Sequence, residues 1–250
     1  MLVAAHKPAD TPHDPVYLPI HVGRAIHGVD FGFTSDATGQ NISSKNDTYC
    51  ELTAVYWAWK NLDPQVPAVG LSHYRRYFRG GADGPSGARV LSGEEMTTLL
   101  SSFDVVVARR RNYVVENVES HYRHGHIGSD LDAVRSVLRQ HHPEYSTSFE
   151  SVMHRRSLSL YNMFLMRRVV FDEYSAWLFD VLESAELHID NDGRDAYQRR
   201  TFGYLAERLL NVWLEHNSAT LKVIRRPVVN TDGEPKLRKA VRMIRRKVGV

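Results

Sequence analysis

Gly70-Leu-Ser-His-Tyr-Arg-Arg-Tyr-Phe78 is an apolar approach that runs into a cluster of basic and aromatic side chains. The approach begins at Val66, contains Pro67 and ends at Leu71. It reads as a buried strand whose carboxyl end carries His73, Tyr74, Arg75 and Arg76. An open α/β sheet binds its ligands outside the carboxyl ends of its strands. Two adjacent arginines among aromatic rings suit a phosphorylated, ring-bearing ligand, because guanidinium groups chelate phosphate oxygens and stack on flat faces. The competing reading is an edge strand with a solvated basic end.

Working outward, further strands are expected over residues 2–5, 20–22, 103–108, 161–166 and 221–229. Helical spacing of apolar residues predicts helices over 48–60, 92–102, 130–140, 171–184 and 199–215. Alternating strands and helices imply an α/β layered fold with a largely parallel sheet. Residues 9–19, with Pro12, Pro15 and Pro19, are expected to be loop or extended, and 80–87 a glycine-rich flexible loop.

Several polar groups fall at the predicted element ends. His6 and Lys7 follow the first strand. Asn41, Lys45 and Asn46 crowd the start of the helix over 48–60, which is expected to be capped by Asp47 or Thr48, with Glu51 in its first turn. Such a start offers free N–H groups to an anion. Residues 109–111 are all arginine and end the 103–108 strand, which suggests an anion site shared with Arg75 and Arg76. His121, His124 and His126 invite a zinc reading. Gly125 breaks the helical register and no carboxylate lies at ligand spacing, so they are expected in a polar, substrate-facing loop with no metal. Glu207 and Arg208 sit in the 199–215 helix, where a neighbouring pair is ordinarily a solvated face.

Size and composition narrow the possibilities. At 250 residues and 28.6 kDa the chain can bury a sizeable core. Its 42% hydrophobic and 24% charged residues are those of an ordinary soluble globular protein. The lone Cys50 rules out an internal disulfide and fits a reducing compartment. No apolar stretch is long enough to span a bilayer and no signal peptide is visible, so the expected location is the cytoplasm. The net charge of +3 comes largely from the C-terminus, which argues against a nucleic-acid binder. Residues 1–234 are read as one domain. In residues 235–250, Leu237, Val241, Ile244 and Val248 share a face ringed by lysine and arginine. This predicts a basic amphipathic helix suited to the anionic inner face of a cell membrane.

The motifs together resemble a known family. Residues 41–46 (Asn-Ile-Ser-Ser-Lys-Asn), 49–61 (Tyr-Cys-Glu-Leu-Thr-Ala-Val-Tyr-Trp-Ala-Trp-Lys-Asn), 70–78 and 161–166 (Tyr-Asn-Met-Phe-Leu-Met) are similar to bacterial capsular and exopolysaccharide glycosyltransferases long filed as a domain of unknown function. The likeness extends through 174–180 and 202–210 and departs at Gln40, where the family often carries an acid.

That resemblance implies a GT-A-like nucleotide-sugar fold and inverting transfer of a sugar. The best match is galactofuranose from UDP-galactofuranose to a galactoside in capsule, O-antigen or exopolysaccharide synthesis. The partners implied are a UDP-sugar donor and a lipid-linked or oligosaccharide acceptor. His6, Lys7, Asn41, Lys45, His73, Arg75 and Arg76 would hold the nucleotide sugar. Arg75, Arg76 and Lys45 would neutralise its diphosphate where relatives of this fold use Asp-x-Asp and a metal. Asp190-Asn-Asp192 matches those letters but falls after the core strands and is read as coincidence. A divalent cation, magnesium or manganese, stays open as a cofactor. Glu207 would be the catalytic base, with Asp130 and His121 in reserve, and His121, Tyr122, Asp130 and Arg200 would meet the acceptor or sugar. Asn162 is read as a core amide. The second reading is a non-catalytic carbohydrate-binding or scaffold protein of a membrane assembly complex. Neither a P-loop nor a Rossmann fingerprint is present.

Overall fold

The structure is a computed structural model that describes residues 1–232. The expected basic helix over 235–250 lies outside those residues.

Short apolar runs build the central sheet. Its strands are β1 (Leu2–Ala5), β2 (Leu18–His21), β3 (Thr34–Ser35), β4 (Ala68–His73), β7 (Val105–Ala108), β10 (Phe164–Arg167) and β11 (Val223–Arg226). They lie in the order β11-β7-β10-β4-β1-β2-β3. All neighbours are parallel except β10, which runs antiparallel between β7 and β4. The result is a mixed α/β fold with a mostly parallel central sheet flanked by helices.

Buried on both faces, β1 and β7 carry no polar residue. Alternation sorts their side chains between two cores. Leu2, Ala4, Val105 and Val107 face one core, and Val3, Ala5, Val106 and Ala108 the other.

The larger core is covered by α2 (Leu52–Asn61), which follows the short α1 (Asn46–Tyr49), and by α4 (Val118–Gly125), α5 (Gly128–His141), α6 (Ser146–His154), α7 (Arg168–Glu186) and α8 (Thr201–His216). In α7, Phe171, Tyr174, Trp177, Leu178, Val181 and Leu182 recur at helical spacing and are buried. Each contributes roughly 1.5–3 kcal/mol of apolar burial. The smaller core is closed by α3 (Gly93–Ser102) and an antiparallel extension of β5 (Arg76–Asp83), β6 (Arg89–Val90) and β12 (Val228–Asn230). A two-stranded ribbon, β8 (Arg111–Asn112) with β9 (Ser157–Leu158), stands beside β7.

Six expectations change. The strand over 161–166 begins only at Phe164, after a left-handed turn at Tyr161 and Asn162. The strand over 221–229 is two, β11 and β12, broken at Pro227. The helix over 48–60 is two helices, because Cys50 takes a left-handed φ of 52° between α1 and α2. Neither Asp47 nor Thr48 caps it. Residues 80–83 continue strand β5, and a Cβ on Gly80 would come within 2.5 Å of Leu91 Cα, so glycine there admits a crossing backbone. His121, Tyr122 and His124 lie on helix α4 rather than in a loop, with Asn117 and Ser120 forming its capping box. Strand β2 starts at Leu18 and includes Pro19. Among the described residues, no helix is long and apolar enough to cross a membrane.

Candidate functional site

Strands β1, β2 and β4 end at the same edge, and there a cleft of ≈ 370 Å³ opens, within the range of ligand sites. Ala4 and His6 come from the end of β1, and His73, Tyr74, Arg75 and Arg76 from the β4–β5 turn. Asn46 and Asp47 come from α1, Cys50 and Glu51 from the break before α2, Tyr161 from the approach to β10, Arg200 from the N-cap of α8 and Glu207 from α8 itself.

Left-handed backbone at three non-glycine residues builds this cleft. Tyr161 and Asn162 have φ of 76° and 53°, a conformation that side chains other than glycine rarely adopt. The turn aims the Tyr161 N–H at Glu207 Oε1 (2.7 Å) and its carbonyl at His73 Nε2 (2.6 Å). A carbonyl can only accept, so His73 donates through Nε2, and Nδ1 is left as an acceptor. Burial lowers the His73 pKa, which keeps that ring neutral.

Asn162 is a core amide, as expected. Its Nδ2 donates to Glu51 Oε1 (2.7 Å) and to the Gly203 carbonyl (3.0 Å). The third strained residue, Cys50, brings its Sγ to Arg200 Nε at 3.2 Å. Burial pushes the thiol up to about 12. Gly203 makes room, since a Cβ there would stand 3.1 Å from Cys50 Sγ.

Charge is divided across the cleft. His6 has a lowered pKa, first through burial and then through Arg75, Lys7, Arg200 and His27, so several cations converge on it. Arg75 also pairs with Asp232 at 3.0 Å, and the Arg76 guanidinium lies 4.5 Å from the centre of the Tyr161 ring. Glu207, in the same lining, has a raised pKa, chiefly through burial, which outweighs Arg208 and the Tyr161 N–H. Arg208 Nη1 donates to Glu207 Oε2 at 3.2 Å. This pair faces inward rather than solvent.

Next to Glu207, outside the cleft lining, lies an aromatic layer. Tyr113 stacks on His121 at 4.1 Å, and Tyr204 on His126 at 3.9 Å. Tyr113 Oη, His121 Nδ1 and Tyr204 Oη are buried with no hydrogen-bond partner. Glu207 and Arg208 both act on the Tyr113 hydroxyl electrostatically, so this layer adjoins the carboxylate.

Glu207, His6, His73, Arg75, Arg76 and Arg200 therefore share one cleft. Lys7 stands one layer out, its Nζ 5.5 Å from the Tyr74 ring centre. The other expected residues are not cleft residues. Asn41 is exposed and donates to the Gly39 carbonyl, and Lys45 is held 2.6 Å from Glu186 on α7. Tyr122 is fully buried, and His121 lies behind Tyr113. Asp130 is locked by Arg194 at 2.6 and 2.9 Å. Arginines 109–111 belong to another patch, so no anion site is shared with Arg75 and Arg76. Asp190 is exposed and accepts from the Asp192 N–H within its own turn. Glu51, Cys50 and Tyr161 escaped sequence reasoning.

Carboxylates in the cleft do not form a ligand set. Glu51 is taken by Asn162, Glu207 by Tyr161 and Arg208, and Asp47 lies 3.8 Å from Arg199. Among the described residues no group of His, Cys, Asp and Glu converges as a cation cage. These residues do not fit the metal of a GT-A fold.

The mixed α/β fold matches that of a solved glycosyltransferase. The WbbM bifunctional glycosyltransferase, solved in its apo form, has the same fold with a TM-score of 0.86 and 28% identity, over 93% of this chain and 45% of that one. The chain thus spans less than half the length of that protein. It belongs to the family described as Domain of unknown function (DUF4422), whose model matches residues 1–218. No match was found among curated proteins.

Proposed function

We propose that this protein is a nucleotide-sugar-dependent glycosyltransferase that inverts the configuration of the transferred sugar. The observation carrying this reading is a single cleft lined by Glu207 together with Arg75, Arg76 and Arg200. Inverting transfer needs a base for the acceptor hydroxyl and positive charge for the leaving diphosphate, and these groups supply both. Glu207 takes the acceptor proton as the acceptor oxygen bonds to the anomeric carbon. The bond from that carbon to the donor phosphate breaks through an oxocarbenium-like state, and the nucleoside diphosphate departs with the electron pair.

Arg76 and Arg200 neutralise the departing diphosphate, with Arg75 and Lys7 adding to the field. Because the cleft carboxylates do not fit a cation, no step is routed through one. The donor favoured by family resemblance is UDP-galactofuranose, with a galactoside acceptor in bacterial polysaccharide synthesis.

Incubation with a panel of UDP-, GDP- and dTDP-sugars and galactoside acceptors, with and without EDTA, tests this reading. A glycosylated product that persists in EDTA is expected. Turnover of no donor would favour a non-catalytic carbohydrate-binding protein.

A further inference from the structure

A second concentration of positive charge lies outside the cleft, at the carboxyl ends of β7 and β11. Three stretches of chain meet there. The Arg109 N–H donates to the Arg226 carbonyl at 2.8 Å, and the Tyr113 N–H donates to the Arg156 carbonyl at 2.8 Å. Residues 109–111, 155–156 and 225–226 are all arginine. Among the described residues Glu215 enters this group, paired with Arg155. Arg110 and Arg225 have lowered pKa values through burial and then through neighbouring guanidinium groups, Arg155 among them. Arg110 Nε is buried with no partner. Outside its basic tail the chain has more acids than bases, so this clustering is local.

An apolar tip projects beside the arginines. Val114 and Val115 are 72% and 63% exposed. Val114 is held at φ 62°, a strained conformation for a β-branched residue. The strain is fixed by the Asn112 side chain, which accepts from the Val114 N–H at 2.9 Å. Solvation of strand ends explains single arginines. It does not explain two adjacent valines held outward in their midst.

We infer that this patch is a membrane-docking surface: Val114 and Val115 enter the headgroup region of an anionic bilayer while Arg110, Arg155, Arg156 and Arg225 meet lipid phosphates. Apolar insertion combined with basic side chains is the usual composition of a peripheral membrane contact. Occupancy by a bilayer is favoured over a soluble anion because a free phosphate makes no use of exposed valines. The patch stands at the same edge of the sheet as the cleft, so docking turns the cleft mouth toward the lipid surface. The inference is independent of whether the cleft is catalytic.

Flotation of the full chain with phosphatidylcholine vesicles, and with vesicles containing about a third phosphatidylglycerol, tests it. The expected result is binding to the anionic vesicles that falls about tenfold in Val115→Asp/Arg156→Glu, both exposed positions. The same variant should keep the parent melting temperature. Binding should persist when the lysines and arginines of 236–247 are replaced by glutamine, and weaken with salt. A loop variant that floats like the parent would overturn the inference, as would loss of flotation in the glutamine variant alone. Millimolar inorganic phosphate raising the melting temperature of a chain that does not float would also overturn it, in favour of a soluble-anion site.

Discussion

Replacing Asp130 by Asn should cost stability and leave the chemistry intact. Asp130 accepts from Arg194 Nη1 and Nη2 at 2.6 and 2.9 Å, and the two side chains are 4% and 10% exposed. Arg194 Nη1 also donates to Thr201 Oγ1 at 2.9 Å, so the pair pins the first residue of α8. The Asp130→Asn change would leave a buried guanidinium without its counter-charge. Breaking such a pair from one side costs about 3–5 kcal/mol. In a chain of this size the melting temperature should fall by about 6–20 °C. Replacing both partners, Asp130→Leu with Arg194→Met, should recover most of that loss, because a matched apolar pair avoids the stranded charge. Thermal unfolding by circular dichroism reads the stability, and turnover is measured well below the transition. A melting point within ~2 °C of the parent would refute the argument, as would loss of turnover in a fully folded variant, which would return Asp130 to the chemistry.

Other consequences follow from the cleft and its supports. Arg76→Ala should weaken UDP binding by about 10–100-fold, the usual worth of a charge-assisted contact, without unfolding the protein; isothermal titration checks it. His126 is held down to about 4 by burial and by Arg208. The unfolded chain therefore takes up a proton below about pH 6.5 that the folded chain refuses. Stability is full above that pH and falls toward pH 4 by ~1–2 kcal/mol for this partly exposed ring, with His6, His73 and His121 shifted in the same direction. Equal urea midpoints at pH 7.5 and pH 5 would contradict this. Ser92→Ala removes the capping box of α3 and should cost about 1 kcal/mol, read as a lower urea midpoint.

Elements defined by local pattern were legible in the sequence. The apolar runs of β1, β4, β7 and β10 announce strands buried on two faces, and the spacing of Phe202, Leu205, Leu209 and Val212 announces α8. Features set by distant partners were not legible. Nothing near Lys45 reveals that Glu186, far along the chain, will take its ammonium, nor does the setting of Asp130 reveal Arg194. Cys50 sits inside an apparently continuous helical pattern, and its left-handed backbone is imposed by packing against Gly203 and Arg200. That one break turns Glu51 from a helix-start residue into a cleft residue. Gly80 and Gly81 suggested a loop because the pattern does not show that β6 will pair with β5 on either side of them and Leu91 will cross close by.

Glu207 shows both sides of this division. Its helix is evident from periodicity, but the chemistry depends on Tyr161, whose N–H fixes the carboxylate through a strained turn. The raised pKa suits a base that must hold a proton while an oxygen attacks. The most direct measurement is the turnover of Glu207→Gln with the donor identified from the panel, alongside its affinity for UDP. A fall in kcat of about 10²–10⁴-fold with UDP affinity within about twofold of the parent is predicted. Retained turnover, or loss of UDP binding in a folded variant, would contradict Glu207 as the base.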